Sequence, residues 1–228
     1  MLFRSNVIAV KDFKDYLFIA TKKGQVKKIR LELFSKPRST GVRIISLPED
    51  NSDGVVDVKK IIVQQEIMLI TKKGQAIRFN SNEVRDMGRA SYGVTGIKLD
   101  GDDEVVSTEI VVDKNASILT ITEKGFGKRS NVEDYRLTGR AGKGVINLKV
   151  NEKTGDVVTS ITVGDKDNFV VSTIKGIVIR TRVKDFRVMG RATSGVRIIK
   201  LNHGDRVSDM ARLDNDEDIP SPENLSGY

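Results

Sequence analysis

The sequence has no cysteine, no tryptophan and one histidine, and its aromatic residues make up only 5% of the chain. Without cysteine there is no disulfide, no thiolate nucleophile and no cysteine metal site. His203 alone supplies neither a histidine cluster nor more than one member of a catalytic triad. No uninterrupted apolar run reaches the length of about eighteen residues that a membrane helix needs, and no basic N-terminal region leads into an apolar stretch. The expected location is therefore the cytoplasm. No segment combines helical periodicity with caps, and no two glycines are adjacent.

What the chain does have is a repeat. Thr21-Lys22-Lys23-Gly24 returns as Thr71-Lys72-Lys73-Gly74, Thr122-Glu123-Lys124-Gly125 and Thr173-Ile174-Lys175-Gly176, with glycine spacings of 50, 51 and 51. A second landmark follows in each unit: Gly41-Val42, Gly93-Val94, Gly144-Val145 and Gly195-Val196. Short apolar runs flank each Lys-Gly turn, a hairpin signal, and runs at 42–47 and 55–63 raise the count to about four strands per unit. A four-stranded sheet of about fifty residues cannot bury both faces alone and must stack on its neighbours. The expected fold is thus all-β, a propeller-like array of four repeats of about 50 residues. Its four-stranded blades are read approximately as 6–54, 55–104, 105–155 and 156–213. A stacked β-helix fits less well because its turns are shorter, and the absent tryptophan and double glycine exclude WD and kelch signatures.

The net charge of +8 is unevenly distributed. Segments 22–47, 72–99, 123–150 and 174–201 hold 29 Lys and Arg against 7 Asp and Glu, a net +22, which leaves −14 for the remainder. In a radial array the same part of every unit takes the same place, so this bias predicts a basic belt on one rim, suited to a long polyanion. Solvation of exposed strands would explain charge but not its segregation. With no base-reading helix and few aromatics for stacking, duplex DNA held by its phosphates is the expected partner, read with little sequence specificity.

The loops before the second glycine place cations among small residues: Lys36 and Arg38; Arg85 and Arg89; Arg136, Arg140 and Lys143; Arg187 and Arg191. Small residues let backbone approach a phosphate, and arginine adds a charge-assisted fork. Arg78, Lys128, Arg129, Arg180 and Arg182 on adjacent strands complete the expected DNA-binding set. Alternatively, such loops merely connect strands.

The Thr-x-Lys-Gly hairpins, the loops Gly88-Arg89 to Gly93-Val94 and Gly190-Arg191 to Gly195-Val196, and Gly139-Arg140-Ala141-Gly142-Lys143-Gly144-Val145 closely resemble the C-terminal domain of the DNA gyrase A subunit. The A subunit of topoisomerase IV shares that domain in degenerate form. The resemblance spans residues 6–213. It implies a β-pinwheel, whose blades exchange strands, that bends duplex DNA around a basic outer rim in support of ATP-dependent supercoiling. It also implies partners, namely the gyrase A catalytic core and the gyrase B subunit in an A2B2 assembly on the nucleoid, with ATP and Mg used by those other parts. No cofactor, metal or catalytic residue is expected in this chain, and Tyr16, Tyr92, Tyr135 and Tyr228 are not assigned as nucleophiles.

The chain departs from the family pattern in having four repeats rather than six and no full Gln-Arg-Arg-Gly-Gly-Lys-Gly box. Residues 139–144 are its nearest remnant. The four repeats match the later blades best, and residues 1–5 read as a non-native leader on a truncated sequence. Residues 214–228 carry five acids and no Lys or Arg, and are expected to be a disordered acidic tail. Gly139 to Gly144 lacks the spacing and the following Ser or Thr of a Walker loop. The rival reading is a protein-interaction propeller that binds an acidic partner.

Overall fold

The computed structural model describes residues 8–213, so the expected leader and acidic tail lie outside the described residues. Within it the strands run β1 (Tyr16–Thr21), β2 (Gln25–Arg30), β3 (Val55–Ile61), β4 (Glu66–Thr71), β5 (Gln75–Asn80), β6 (Val94–Thr95), β7 (Val105–Val111) and β8 (Ser117–Thr122). They continue as β9 (Phe126–Asn131), β10 (Val145–Ile146), β11 (Val157–Val163), β12 (Asn168–Thr173), β13 (Val178–Arg182), β14 (Val196–Arg197) and β15 (Val207–Leu213). Short 3-10 turns follow β2, β5, β9 and β13.

The strands form four antiparallel blades, ordered β3-β1-β2-β6, β7-β4-β5-β10, β11-β8-β9-β14 and β15-β12-β13. The outermost strand of each of the first three comes from the following repeat: Val94 pairs with Val26, Val145 with Ala76, and Val196 with Gly127. This is the strand exchange of a pinwheel. The cuts expected at 54/55, 104/105 and 155/156 need correction. They fall before β3, β7 and β11, which complete the preceding blades because their antiparallel partners are β1, β4 and β8.

Strand periodicity explains the stacking. In β4, Ile67 and Leu69 join Phe18, Ala20 and Val26 of the first blade, while Met68 and Ile70 point the other way, to Ile118, Val132 and Tyr135 of the third. Alternate side chains thus serve opposite blade interfaces, and the strand reads as continuously apolar because both faces are covered. Each such buried side chain contributes about 1.5–3 kcal/mol. The fourth blade shows the converse, since β13 alternates exposed and half-buried residues and Val178 is 64% exposed.

The innermost strands converge. Val55, Val105, Val157 and Val207, at the starts of β3, β7, β11 and β15, line one central cavity of about 600 Å³, which places the exchanged strands at the outer perimeter. The strand expected over 42–47 is not formed. No strand of a preceding blade is there among the described residues to pair with it, and Ile44 and Ile45 instead pack with Ile8, Val10 and Ile29.

Candidate nucleic-acid interface

Each repeat is organised by its Thr-x-x-Gly turn. The glycine N–H donates to the threonine carbonyl at 3.0 Å in all four turns, and the glycines have φ between 77° and 84°, a backbone conformation that disfavours other residues. The threonine hydroxyl closes the turn by accepting the N–H of Gln25 (3.2 Å), Gln75 (3.0 Å) and Ile177 (3.1 Å) in the first, second and fourth units.

A carboxylate on the connection just before the innermost strand supports the turn. Asp53 accepts the Lys23 N–H at 2.9 Å, Asp103 that of Lys73 at 2.8 Å and Asp205 that of Lys175 at 3.1 Å. In the third unit the Thr154 carbonyl takes this role for Lys124 at 3.3 Å. Desolvation pushes the Asp53 carboxyl up. Hydrogen bonds from Thr21, Tyr92 and the backbone outweigh it and hold Asp53 below the ordinary carboxylate value. Burial, reinforced by the Asp53 charge, raises the Tyr92 phenol to about 12. Part of the acidic charge outside the basic segments is therefore committed to turn architecture near the centre.

The turn carbonyls also receive the exchanged strands. Gly96 N–H donates to Gly24 O at 2.8 Å, Asn147 to Gly74 O at 2.8 Å and Ile198 to Gly125 O at 2.9 Å. A Cβ on Gly74 would overlap the Leu148 carbonyl oxygen, whereas one on Gly176 would meet nothing within 4 Å. The loops leading into these strands run back along the outer strand of the preceding blade: Met87 N–H bonds Lys28 O (2.9 Å), Thr138 bonds Arg78 O (2.8 Å) and Met189 bonds Arg129 O (2.7 Å). That path carries the loop cations to the outer perimeter, at the seams between blades.

Seven of the nine expected loop cations, Lys36, Arg38, Arg85, Arg89, Arg136, Lys143 and Arg187, are exposed. Lys143 also meets Asp100 at 3.2 Å in a solvated pair, which contributes little to stability. Arg140 and Arg191 are half-buried. The Arg140 guanidinium bonds Thr95 O at 2.9 Å and Glu83 O at 3.1 Å, and that of Arg191 bonds Ile146 O at 3.0 Å. Arg180 and Arg182 are exposed on β13, and Arg182 pairs with Asp185 at 3.1 Å.

Three strand residues expected as DNA contacts are corrected. Arg78, Lys128 and Arg129 are only 7%, 1% and 7% exposed, because their strands are covered by blades on both faces. Arg78 bonds the Val132 and Tyr135 carbonyls at 2.9 and 3.0 Å and pairs with Glu66. Arg129 reaches the Val183 carbonyl at 3.3 Å and pairs with Asp165. Both clamp one blade to the 3-10 turn of the next. Conversely, Lys98, Lys149 and Lys200 are not among the expected contacts, yet each stands five residues after its repeat's second glycine and is exposed beside the exchanged strand. That constant offset is the signal by which the sequence marks them. Among the described residues, no group of three or more His, Cys, Asp and Glu is placed to hold a metal ion, and no helix is long and apolar enough to cross a membrane.

The sequence matches the family model described as the DNA gyrase C-terminal domain, beta-propeller, at residues 15–61, 65–111, 116–163 and 167–214. The chain is 41% identical over 224 residues to the DNA gyrase A subunit of Chlamydia trachomatis serovar D, covering 96% of this chain and 27% of that protein. It is 38% identical over 209 residues to that of Salmonella typhimurium, covering 91% and 24% respectively. The chain thus spans about a quarter of the length of the relatives it matches. Among solved structures, the C-terminal domain of a DNA topoisomerase IV superposes with a TM-score of 0.84 at 27% identity, covering 90% of this chain and 64% of that one. A DNA gyrase A C-terminal domain gives 0.81 at 27% identity, covering 89% and 68%.

Proposed function

The chain belongs to the DNA gyrase C-terminal domain family, and from that premise we propose that it binds duplex DNA without sequence specificity and bends it around its outer perimeter. The carrying observation is the repetition of exposed cations at the blade seams, Arg85 and Arg89, Arg136 and Lys143, and Arg187, with Lys98, Lys149 and Lys200 beside them, while Lys36 and Arg38 are exposed on the corresponding loop of the first repeat. The second, third and fourth repeats present their cations from the same structural place, so a phosphate backbone following the perimeter meets a new set at every seam.

Bending 20–30 base pairs by 40–90° costs on the order of 1–6 kcal/mol, which several phosphate contacts with counterion release offset. No nucleophile or cofactor is assigned to this chain. Cleavage and ATP hydrolysis belong to the remainder of a gyrase-like or topoisomerase IV-like assembly in the cytoplasm, of which this chain would be the DNA-wrapping part.

The test is binding to duplexes of increasing length at several salt concentrations, together with the topoisomer distribution after a plasmid is relaxed and ligated with the protein bound. Affinity that rises with length and falls steeply with salt, with a shift in linking number, is the expected result. Binding without the shift would reduce the role to holding DNA. No binding at low salt would overturn the proposal in favour of an acidic protein partner.

A further inference from the structure

The first and third blades bury a lysine at the third position after the turn glycine, Lys27 on β2 and Lys128 on β9, where the second and fourth carry Ile77 and Ile179. Lys27 is 0% and Lys128 1% exposed. Neither can touch a ligand, and a buried ammonium needs a reason.

The reason is visible in their partners. Lys27 Nζ donates to the carbonyls of Ile44 (2.7 Å), Arg89 (2.9 Å) and Ser91 (2.8 Å). Lys128 Nζ donates to the Ser130 hydroxyl (2.7 Å) and to the carbonyls of Gly190 (3.0 Å) and Arg191 (2.5 Å), while Ser130 donates onward to the Met189 carbonyl at 2.7 Å. Each ammonium thus uses all three donors, and its acceptors include the backbone carbonyl of the arginine in the loop's Gly-Arg step. The second blade needs no such cage. Its loop is held through Arg140 itself and through Ala141 N–H to Gly96 O at 2.6 Å, with Gly142 lying over the Ile77 side chain.

We propose that Lys27 and Lys128 are positioning residues for DNA binding, each protonated side chain tying down the backbone of the loop that presents Arg85 and Arg89 or Arg187. The inference rests on the DNA-binding reading of those loops. A neutral amine keeps only two donors and turns its lone pair toward a carbonyl oxygen, so deprotonation releases part of the loop. The pH response is assigned to Lys128. Burial pulls its pKa down to about 7, with Asp134 of the adjoining 3-10 turn opposing and Arg191 of the loop adding to the fall. Ser130 on its own strand and the buried Tyr135, whose hydroxyl donates to Asn147 at 2.5 Å, complete its polar surroundings. The Arg191 loop is therefore anchored below neutral pH and loosened above it, within the physiological range.

The experiment combines two readouts on the full chain: amide hydrogen exchange of residues 189–192, and affinity for a 40-base-pair duplex at fixed ionic strength, both between pH 6 and 9. Exchange is compared after correction for its intrinsic pH dependence. The wild type should lose loop protection and roughly three- to tenfold in affinity across neutrality, about what one lost hydrogen bond is worth. Lys128→Met, an apolar residue at a place where Ile77 and Ile179 are accommodated, should be unprotected and weak at every pH. Its flat profile separates Lys128 from His203, the one histidine of the chain. In an Arg187→Ala background the substitution should cost little further affinity, since it acts through the loop that presents Arg187. Loop protection that is independent of pH and unchanged in Lys128→Met would overturn the proposal. A wild type that shows the loop response but binds no DNA would instead overturn the DNA-binding reading. Circular dichroism establishes that Lys128→Met is folded, and Lys27→Met, read at residues 88–92, repeats the test on the first blade.

Discussion

The Tyr92 hydroxyl of the second repeat donates a hydrogen bond to the Asp53 carboxylate of the first, tying the loop that enters the exchanged strand to the segment before β3 that supports the Lys22-Lys23 turn. Tyr92→Phe should destabilise the domain by about 1.5–3 kcal/mol, the range for a hydrogen bond to a charged partner. Denaturant unfolding checks this.

The same pair sets a pH dependence at both ends of the scale. The Asp53 carboxyl is held below its ordinary value, so its contribution is fully present above about pH 4 and is lost as pH falls through the depressed folded value. The thermal midpoints of wild type and Asp53→Asn should therefore converge in acid. The Tyr92 phenol, raised to about 12, keeps its proton after the unfolded chain has begun to ionise. Its contribution is then lost from about pH 10 upward. Ultraviolet titration of phenolate should show two tyrosines ionising late, Tyr92 and the buried Tyr135, and Tyr92→Phe should remove one of them.

Buried and exposed arginines should separate stability from binding. Arg78→Met strands Glu66 and the carbonyls of Val132 and Tyr135 and should cost about 3–5 kcal/mol of stability, as breaking a buried pair does. Arg85→Ala and Arg89→Ala should change stability by no more than about 0.5 kcal/mol. They should weaken DNA binding and reduce the slope of log affinity against log salt by about 0.9 for each phosphate that is no longer neutralised. Melting curves and salt titrations together distinguish the two classes.

The turn glycines should be unequal. Gly74→Ala meets both a left-handed backbone, φ 82°, and the overlapping Leu148 carbonyl. Gly176→Ala has φ 84° with open space and should lose only the conformational term of about 1–2 kcal/mol. Gly74→Ala should unfold at markedly lower denaturant than Gly176→Ala, because it also displaces the exchanged strand.

Neutralising Lys98, Lys149 and Lys200 together should lower DNA affinity without moving the melting temperature, since all three are exposed and surface substitutions change stability little. A salt slope equal to the wild type's would remove them from the interface.

The sequence by itself determined the repeat, the hairpins and the seam loops. Those features rest on local rules: a Thr-x-x-Gly turn that favours positive φ, alternating strands, and cations set at fixed offsets from glycines. It did not reveal that Val55–Ile61 closes the blade before it, that 42–47 would find no strand partner, or that Asp53, Asp103 and Asp205 would cap the turns. Each of those depends on which segment lies beside which after the chain has folded back on itself.

The division is sharpest among the cations. Arg78, Lys128 and Arg129 are as basic in sequence as Arg85 and Arg89, and they occupy the same charge-rich half of the repeat. Only stacking decided that the first three would be covered by blades on both sides and bind carbonyls, while Arg85 and Arg89, on a loop crossing the seam, remained in water. Charge is written locally, but burial is a property of the neighbours that tertiary structure supplies, and burial separates a cation that holds the fold together from one free to meet a phosphate.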